Sequence, residues 1–321
     1  MNKNIITIAT GKSLYISLAV NLARSFFYWN KHTTIKFYMV TDQASLIPKD
    51  ILEYIQIIKI KSGELGEGFS TKLHLDKLAP SGQTLFIDSD CLIFGNIDGI
   101  FDRFKGKDVS VIGGYINEGE WFGDIKSICK KFNVPCLPKF NGGIYYLEKG
   151  QNASKVYEDA RRLEKEYDAI GFKRLRNKPN DEVIMALAMQ LNGMHTIPDD
   201  GTIMSDPQAC PGGYKIDLIN GSRYLINPPA PSPLHQNWYP FTTVTPLIVH
   251  FLGYYTQHYP YEREVLRLKL KMENKLNPIS NFFTIIKIEY GERIKIFGKS
   301  MLRPLYRLLF GTNTIKKSER L

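Results

Sequence analysis

Thr84-Leu85-Phe86-Ile87-Asp88-Ser89-Asp90 is the stretch on which the fold turns. Its first four residues are apolar, β-favouring and bounded by polar neighbours, the pattern of a short buried strand. Two carboxylates one residue apart follow at once, where the strand meets a loop. Working outward, Ile5-Ile8, Ile35-Val40 and Ile55-Ile60 read as further strands. Tyr15 to Trp29 carries Leu18, Leu22 and Phe26 at helical spacing, and Phe69 to Leu78 is expected to be helical. Downstream, Val109-Ile112 and Ile144-Leu147 read as strands, the latter fed by the turn Asn141-Gly142-Gly143. Ser154 to Tyr167 is a charged helix. Asp181 to Leu191 is an apolar one, capped by Asn180 or Asp181. Residues 200–246 are loop-rich, and Leu247-Ile248-Val249 is a final strand leading into His250-Phe251-Leu252-Gly253. Alternating strands and helices imply an α/β layered domain with a mixed, mainly parallel sheet. Ligands of such sheets collect at the carboxyl ends of the strands, which is where the acidic triplet sits.

The chain has 321 residues, 43% of them hydrophobic and 23% charged, enough to bury a large core. No export signal or membrane-spanning run is expected. The long charge-free stretch from Tyr224 to Tyr261 is broken by Pro228, Pro229, Pro231, Pro233 and Pro240. Cys91, Cys129, Cys136 and Cys210 form no C-x-x-C pair, so neither a disulfide framework nor a zinc site is expected, and a cytoplasmic location fits. The net charge of +10 is uneven: residues 261–321 hold 14 Lys/Arg against 6 Asp/Glu, and the preceding 260 residues hold 28 against 26. That asymmetry suggests a body, residues 1–260, and a basic tail, residues 261–321.

Two carboxylates at a strand end can hold one hard cation, and Mg²⁺ or Mn²⁺ shared with diphosphate oxygens stabilises a phosphate leaving group. The bland alternative is a solvated turn. Gly11-Lys12-Ser13 resembles the end of a P-loop, but Ile6 stands where that motif needs glycine, which excludes an ATPase of that class. Lys72 alone reads as a surface lysine and His250 as a structural histidine. With two carboxylates nearby, His250 offers a metal an imidazole. Gly142 and Gly143 either make a turn or let a sugar approach bare backbone.

Taken in order, these segments resemble the glycogenin-like family 8 retaining glycosyltransferases, over residues 4–258. The segments are Ile8-Ala9-Thr10-Gly11 with Tyr15, Phe69-Ser70-Thr71-Lys72-Leu73, Leu85 to Asp90 with Asn96-Ile97-Asp98, and Phe140-Asn141-Gly142-Gly143. Asn180-Asp181-Glu182 and His250-Phe251-Leu252-Gly253 extend the series. The resemblance implies a GT-A nucleotide-sugar-binding fold and transfer of a hexosyl group from a UDP-sugar to a glycan or glycolipid acceptor. Asp88, Asp90 and His250 would hold Mn²⁺ or Mg²⁺ against the donor diphosphate. Ala9, Thr10, Gly11 and Tyr15 would line the nucleoside pocket, with the Ser89 backbone near the ribose. Lys72, Asn141, Gly142, Gly143 and Asp181 would surround the donor sugar, and Gly253 would complete the donor site. Lys72, Asn141 and Asp181 would be its catalytic residues. Asp181 would either stabilise oxocarbenium character or act as a transient nucleophile.

Two departures stand out. Family members place a lysine and Pro-Trp after the last strand, where this chain has Thr256 and Gln257-His258, so His258 is the available substitute. Asp181-Glu182 replaces the usual Asp-Gln. The rival readings are a sugar-nucleotide pyrophosphorylase, which would show a glycine-rich basic loop near its start, and a non-catalytic scaffold at a membrane.

In the tail, Val265, Leu268, Met272 and Leu276 share one helical stripe and Arg263, Arg267, Lys271 and Lys275 another. Ile294, Phe297, Met301, Leu305 and Leu308 repeat the pattern beside Arg293, Lys299, Arg303 and Arg307, with Pro304 expected to kink or restart the second helix. Basic amphipathic helices suit the surface of an anionic membrane. Packing on the body or on a homodimer partner is the plainer alternative, and nucleic acid is not expected because no reader motif accompanies the charge.

Overall fold

Ile5 and Ile6 are neighbours in sequence and both are fully buried, because they point to opposite faces of a sheet covered on both sides. The computed structural model describes residues 1–66 and 68–311, so residues 312–321 of the basic tail lie outside the described residues. It divides into two units, Met1–Ser205 with Val244–His250, and Asp206–Thr243 with Phe251–Leu321.

The strands of the first unit are β1 (Lys3–Ile8), β2 (Lys36–Thr41), β3 (Ile55–Lys59), β4 (Gln83–Ile87), β5 (Cys91–Ile93), β6 (Val109–Ser110), β7 (Gly113–Ile116), β8 (Leu137–Phe140), β9 (Ile144–Glu148) and β10 (Met204–Ser205), followed by Ile248–His250. The main sheet runs β3-β2-β1-β4-β9-β6. β3, β2, β1 and β4 are parallel, and β9 runs antiparallel to both β4 and β6. Alternate residues separate two cores. Ile5, Phe37, Met39, Leu85, Ile87 and Tyr146 pack with the helix Ser13–Trp29. Ile6, Val40, Phe86, Tyr145 and Leu147 pack with the helices Gln151–Lys165 and Asp181–Leu191. Asp181–Leu191 is apolar nearly all round because it is buried nearly all round.

After β4 the chain turns within the acidic triplet, and the Cys91 N–H donates to the Asp88 carbonyl at 3.1 Å. β5 then pairs antiparallel with Ile248–His250, which sets Cys91 opposite His250, and Ile248–His250 pairs parallel with β10. The ends of two strands from opposite parts of the sequence therefore meet.

Several boundaries differ from expectation. Phe69 to Leu78 is a 3₁₀ segment, Gly68–His74, followed by a single α-turn, Leu75–Leu78. Arg161 explains the departure: its guanidinium donates to the Leu73 carbonyl and the Asp76 carboxylate, drawing both toward the helix Gln151–Lys165. The strand expected to run to Ile112 ends at Ser110, and Ile112 bridges to Ile197 instead.

The second unit contains an antiparallel ribbon, Gly213–Asp217 with Ser222–Ile226, inside the stretch expected to be loop. The helix Tyr261–Met272 packs on it. Glu264, fully buried, accepts hydrogen bonds from the Leu218 N–H at 2.6 Å, from Arg263 at 2.7 Å and from Arg267. Arg267 also reaches Asp217 at 3.1 Å, and Leu268 is buried. The first turns of this amphipathic stripe thus face inward, whereas Lys271, Met272 and Lys275 are exposed. Beyond it come the helix Pro278–Thr284, opened by an Asn277–Ser280 capping box, a π-helical turn Ile285–Tyr290, and the helix Gly291–Phe310. Pro304 neither ends nor restarts that helix. Among the described residues no helix is long and apolar enough to cross a membrane.

Glu264→Ala should lower unfolding free energy by about 3–5 kcal/mol, because two guanidinium groups lose their buried counter-charge. Denaturant titration measures it; a loss below about 1 kcal/mol would mean that apolar packing alone holds this helix.

Candidate active site

The site lies wholly in the first unit, and the backbone builds it before any side chain does. The Asp88 N–H donates to the Gly143 carbonyl at 2.9 Å, tying the end of β4 to the Asn141-Gly142-Gly143 turn that enters β9. A Cβ on Gly143 would stand 2.6 Å from His250 Nδ1, so the missing side chain makes room for the imidazole. At Gly142 a Cβ would meet the Glu182 side chain at 3.0 Å and Asp181 Oδ2 at 3.1 Å.

Asn141 Oδ1 accepts the Gly143 N–H at 2.9 Å, which fixes the orientation of its amide, and His250 Nδ1 lies 3.0 Å from the same oxygen. An oxygen serving as acceptor requires His250 Nδ1 to carry a proton. His250 Nε2 then faces Asp90 Oδ1 at 3.0 Å and Asp88 Oδ2 at 3.8 Å. An imidazole lone pair and a carboxylate oxygen at that distance need a cation between them, either a proton or a metal. Carboxylate oxygens and an imidazole oriented through its other nitrogen form a donor set that fits Mn²⁺ or Mg²⁺. Cys91 was not singled out from sequence. Its sulfur joins Asp90 and His250 in a group whose ligand atoms lie within 4.8 Å of one another.

Lys72, on the 3₁₀ segment, donates to Asp88 Oδ2 at 2.7 Å and to the Gly142 carbonyl at 2.9 Å, and lies 3.5 Å from Asp181 Oδ2. Burial works against its charge, but Asp181 and Asp88 outweigh that and hold the ammonium above its ordinary pKa. Burial raises Asp88 in spite of Lys72. Asp90 falls below the usual range because His250, through charge and hydrogen bond, overcomes the effect of burial. Asp88 is therefore divided between lysine and imidazole, whereas Asp90 faces the imidazole.

Asp181 heads its helix, whose cap is Asn180: the Asn180 side chain accepts the Glu182 N–H at 2.7 Å. Tyr145, another residue missed from sequence, donates its phenol to Asp181 Oδ2 at 2.6 Å, and burial followed by Asp181's charge pushes its pKa well up. Glu182 accepts the Gly142 N–H at 2.7 Å; burial and then Asp181 raise its pKa to about 7.

Ala9, Thr10 and Gly11 follow β1, with Ala9 N–H bound to the Val40 carbonyl at 2.9 Å and Gly11 at φ +82°. The Gly11 N–H donates to Asp42 at 3.1 Å. A carboxylate there opposes a phosphate cradle, in keeping with the excluded P-loop. Asp42 could have been suspected from Val40-Thr41-Asp42, an acid ending an apolar strand as Asp88 does. Tyr15 is exposed at the start of the first helix, and Ser89 is buried in the triplet turn. Gly253 falls in the second unit, where it opens the 3₁₀ turn Gly253–Gln257 and its carbonyl accepts the Thr256 hydroxyl at 2.8 Å. His258 pairs through Nδ1 with Glu292 at 2.9 Å and stacks on Tyr254, so these contacts already engage the expected lysine substitute.

No protein-family model matches the sequence, and no curated protein matches it either. Solved structures do match. The galactosyltransferase LgtC, crystallised with donor and acceptor sugar analogs, aligns at a TM-score of 0.55 and 13% identity over 85% of this chain and 100% of its own. An active-site mutant of LgtC gives 0.55 and 12%, over 84% and 95%. This is the GT-A glycosyltransferase fold. The bifunctional glycosyltransferase WbbM shares it, with a TM-score of 0.52 and 10% identity over 85% of this chain and about half, 51%, of its own. In the GT-A frame of this chain, Lys72, Asp88, Asp90, Asn141, Asp181 and His250 converge on one place.

Two consequences are measurable. Gly143→Ala should displace His250 and weaken Mn²⁺ binding by tenfold or more; unchanged binding by calorimetry would show that the ring moves without loss. Glu182 holds its proton more tightly folded than unfolded, so stability falls as pH rises from its ordinary 4.5 through about 7. Glu182→Gln should therefore gain on the order of 2–3 kcal/mol over the native protein above that window and almost nothing below it. Equal gains at both ends, read from melting curves, would contradict the raised pKa.

Proposed function

We propose that the chain is a metal-dependent, retaining glycosyltransferase that moves a hexosyl group from a UDP-sugar to a glycan acceptor on a membrane-associated carrier. The observation that carries this is charge. Asp88, Asp90, Asp181 and Glu182 surround one ammonium, Lys72, and one imidazole, His250. A diphosphate is repelled by that set unless a divalent cation joins it. Asp88, Asp90 and His250 would hold the ion, which when bound offsets the charge developing on the leaving diphosphate.

Lys72 then presents a charge toward the same leaving group or the donor sugar hydroxyls. Asn141 sets the imidazole through Nδ1 and borders the sugar with Gly142. Asp181 is the group nearest the reacting carbon in this reading. Its Oδ2 already bears the Tyr145 phenol and faces Lys72, which weakens it as a nucleophile and favours electrostatic support of an oxocarbenium-like centre. Retention then follows from attack on the face the leaving group departs from. Ala9, Thr10, Gly11 and Tyr15 would receive the nucleoside, with Asp42 available to accept from its hydroxyl or imide groups. The basic tail would bring this site to the membrane surface that bears the carrier.

UDP release from a panel of UDP-sugars, with and without Mn²⁺, tests the reading, and one donor should respond only with metal. Asp90→Asn should abolish that release while melting close to the native protein. Metal-independent release, or none together with no UDP binding by calorimetry, would exclude the proposal.

A further inference from the structure

The tail is two different things. In the helix Tyr261–Met272, Arg263 and Arg267 are spent on Glu264, Glu289 and Asp217, and Leu268 is buried. Beyond Asn277 the pattern reverses. Phe282 and Phe283 are 58% and 62% exposed, and Phe297, Met301 and Leu308 are 64%, 65% and 82% exposed. Between residues 278 and 310 the acids are Glu289 and Glu292. Glu289 pairs with Arg263 and Arg293, and Glu292 with His258.

On the helix Gly291–Phe310 one side is wholly apolar and the cations gather on the other, where Ile296 and Tyr306, 54% and 48% exposed, lie among them. At 100° per residue, Ile294, Phe297, Met301, Leu305 and Leu308 fall within about 80° of one another. Lys295, Lys299, Arg303 and Arg307 are spaced by four and centre on about the opposite side, all exposed. A face of this size left open by a folded chain marks an interaction surface. An apolar partner protein would not explain the cationic stripe, whose charge matches an anionic headgroup layer. A helix with an apolar side opposite its cations lies in the plane of such a layer, its apolar side in the acyl boundary and its lysine and arginine stems reaching back to the phosphates.

We propose that residues 278–310, and not the helix Tyr261–Met272, are the membrane-docking element. It lies parallel to an anionic bilayer with Phe297, Met301 and Leu305 in the lipid. This refines the membrane reading of the tail given above, and its outcome does not depend on the donor chemistry.

Flotation of the full chain with vesicles of phosphatidylglycerol and phosphatidylcholine, against phosphatidylcholine alone, tests it. The native protein should float only with the anionic vesicles. The triple variant Phe297→Glu, Met301→Glu, Leu305→Glu should lose at least about tenfold in vesicle affinity, and Lys295→Gln, Lys299→Gln, Arg303→Gln, Arg307→Gln should lose at least as much. Because these side chains are exposed, both variants should keep the native circular dichroism and melting point. Phe297→Trp should show a blue-shifted emission on binding. Native-like flotation of either variant, an unshifted tryptophan, or a solution dimer broken by the triple variant without any vesicle binding would overturn the proposal. UDP binding measured on the same preparations separates that failure from failure of the transferase reading.

Discussion

A buried ammonium can persist only where carboxylates meet it, and Lys72 is the group around which the site is arranged. Its side chain is 12% exposed and touches Asp88, Asp181 and the Gly142 carbonyl. Those three come from the end of β4, the start of a helix and a turn before β9, segments far apart in sequence. Taking the ammonium out of water is costly, and the attraction of two carboxylates at short range offsets it. Asp181 is also held by the Tyr145 phenol at 2.6 Å and Asp88 faces His250 at 3.8 Å, so Lys72 joins three segments that further contacts fix in one geometry. Arg161 secures the arrangement from behind by fixing Leu73 and Asp76 on either side of His74.

What the sequence made legible was the skeleton. Mainly apolar runs of four to six residues, too short for helices, mark the parallel strands, because strands covered on both faces have little polar side. The helix Asp181–Leu191 shows itself through Asn180 and an unbroken apolar run. The 3₁₀ geometry around Lys72 was not legible: helical spacing of Phe69, Leu73 and Leu78 suits either form, and the choice is made by Arg161, nearly ninety residues away. Partners at such distances leave no local trace. Tyr145 reaches Asp181 from β9, and Cys91 meets His250 only because β5 pairs with Ile248–His250.

The tail shows the same limit from the other side. Two stretches share one amphipathic pattern, and periodicity says only that a helix has an apolar face, not what covers it. The difference is one of ion pairing. Glu264 sits one turn before Leu268 and neutralises two arginines inside the unit, whereas no acid interrupts the run from Lys295 to Arg307. Charge pattern, read together with apolar period, separates the two helices where period alone does not.

Glu182 is the group that makes the site's charge adjustable. Its hydrogen bond from the Gly142 N–H needs only an oxygen, so a carboxylate, a carboxylic acid and an amide can each satisfy it. Geometry therefore does not require an ionisable residue at this position, and the charge is what distinguishes glutamate from glutamine here. Asp181 alongside, together with burial, places its titration at about 7. Near neutral pH the pocket thus passes between two charge states without rearranging. The more negative state attracts a divalent cation and repels an unaccompanied diphosphate, and the less negative state does both more weakly. A fixed amide would hold the pocket at the less negative setting at every pH.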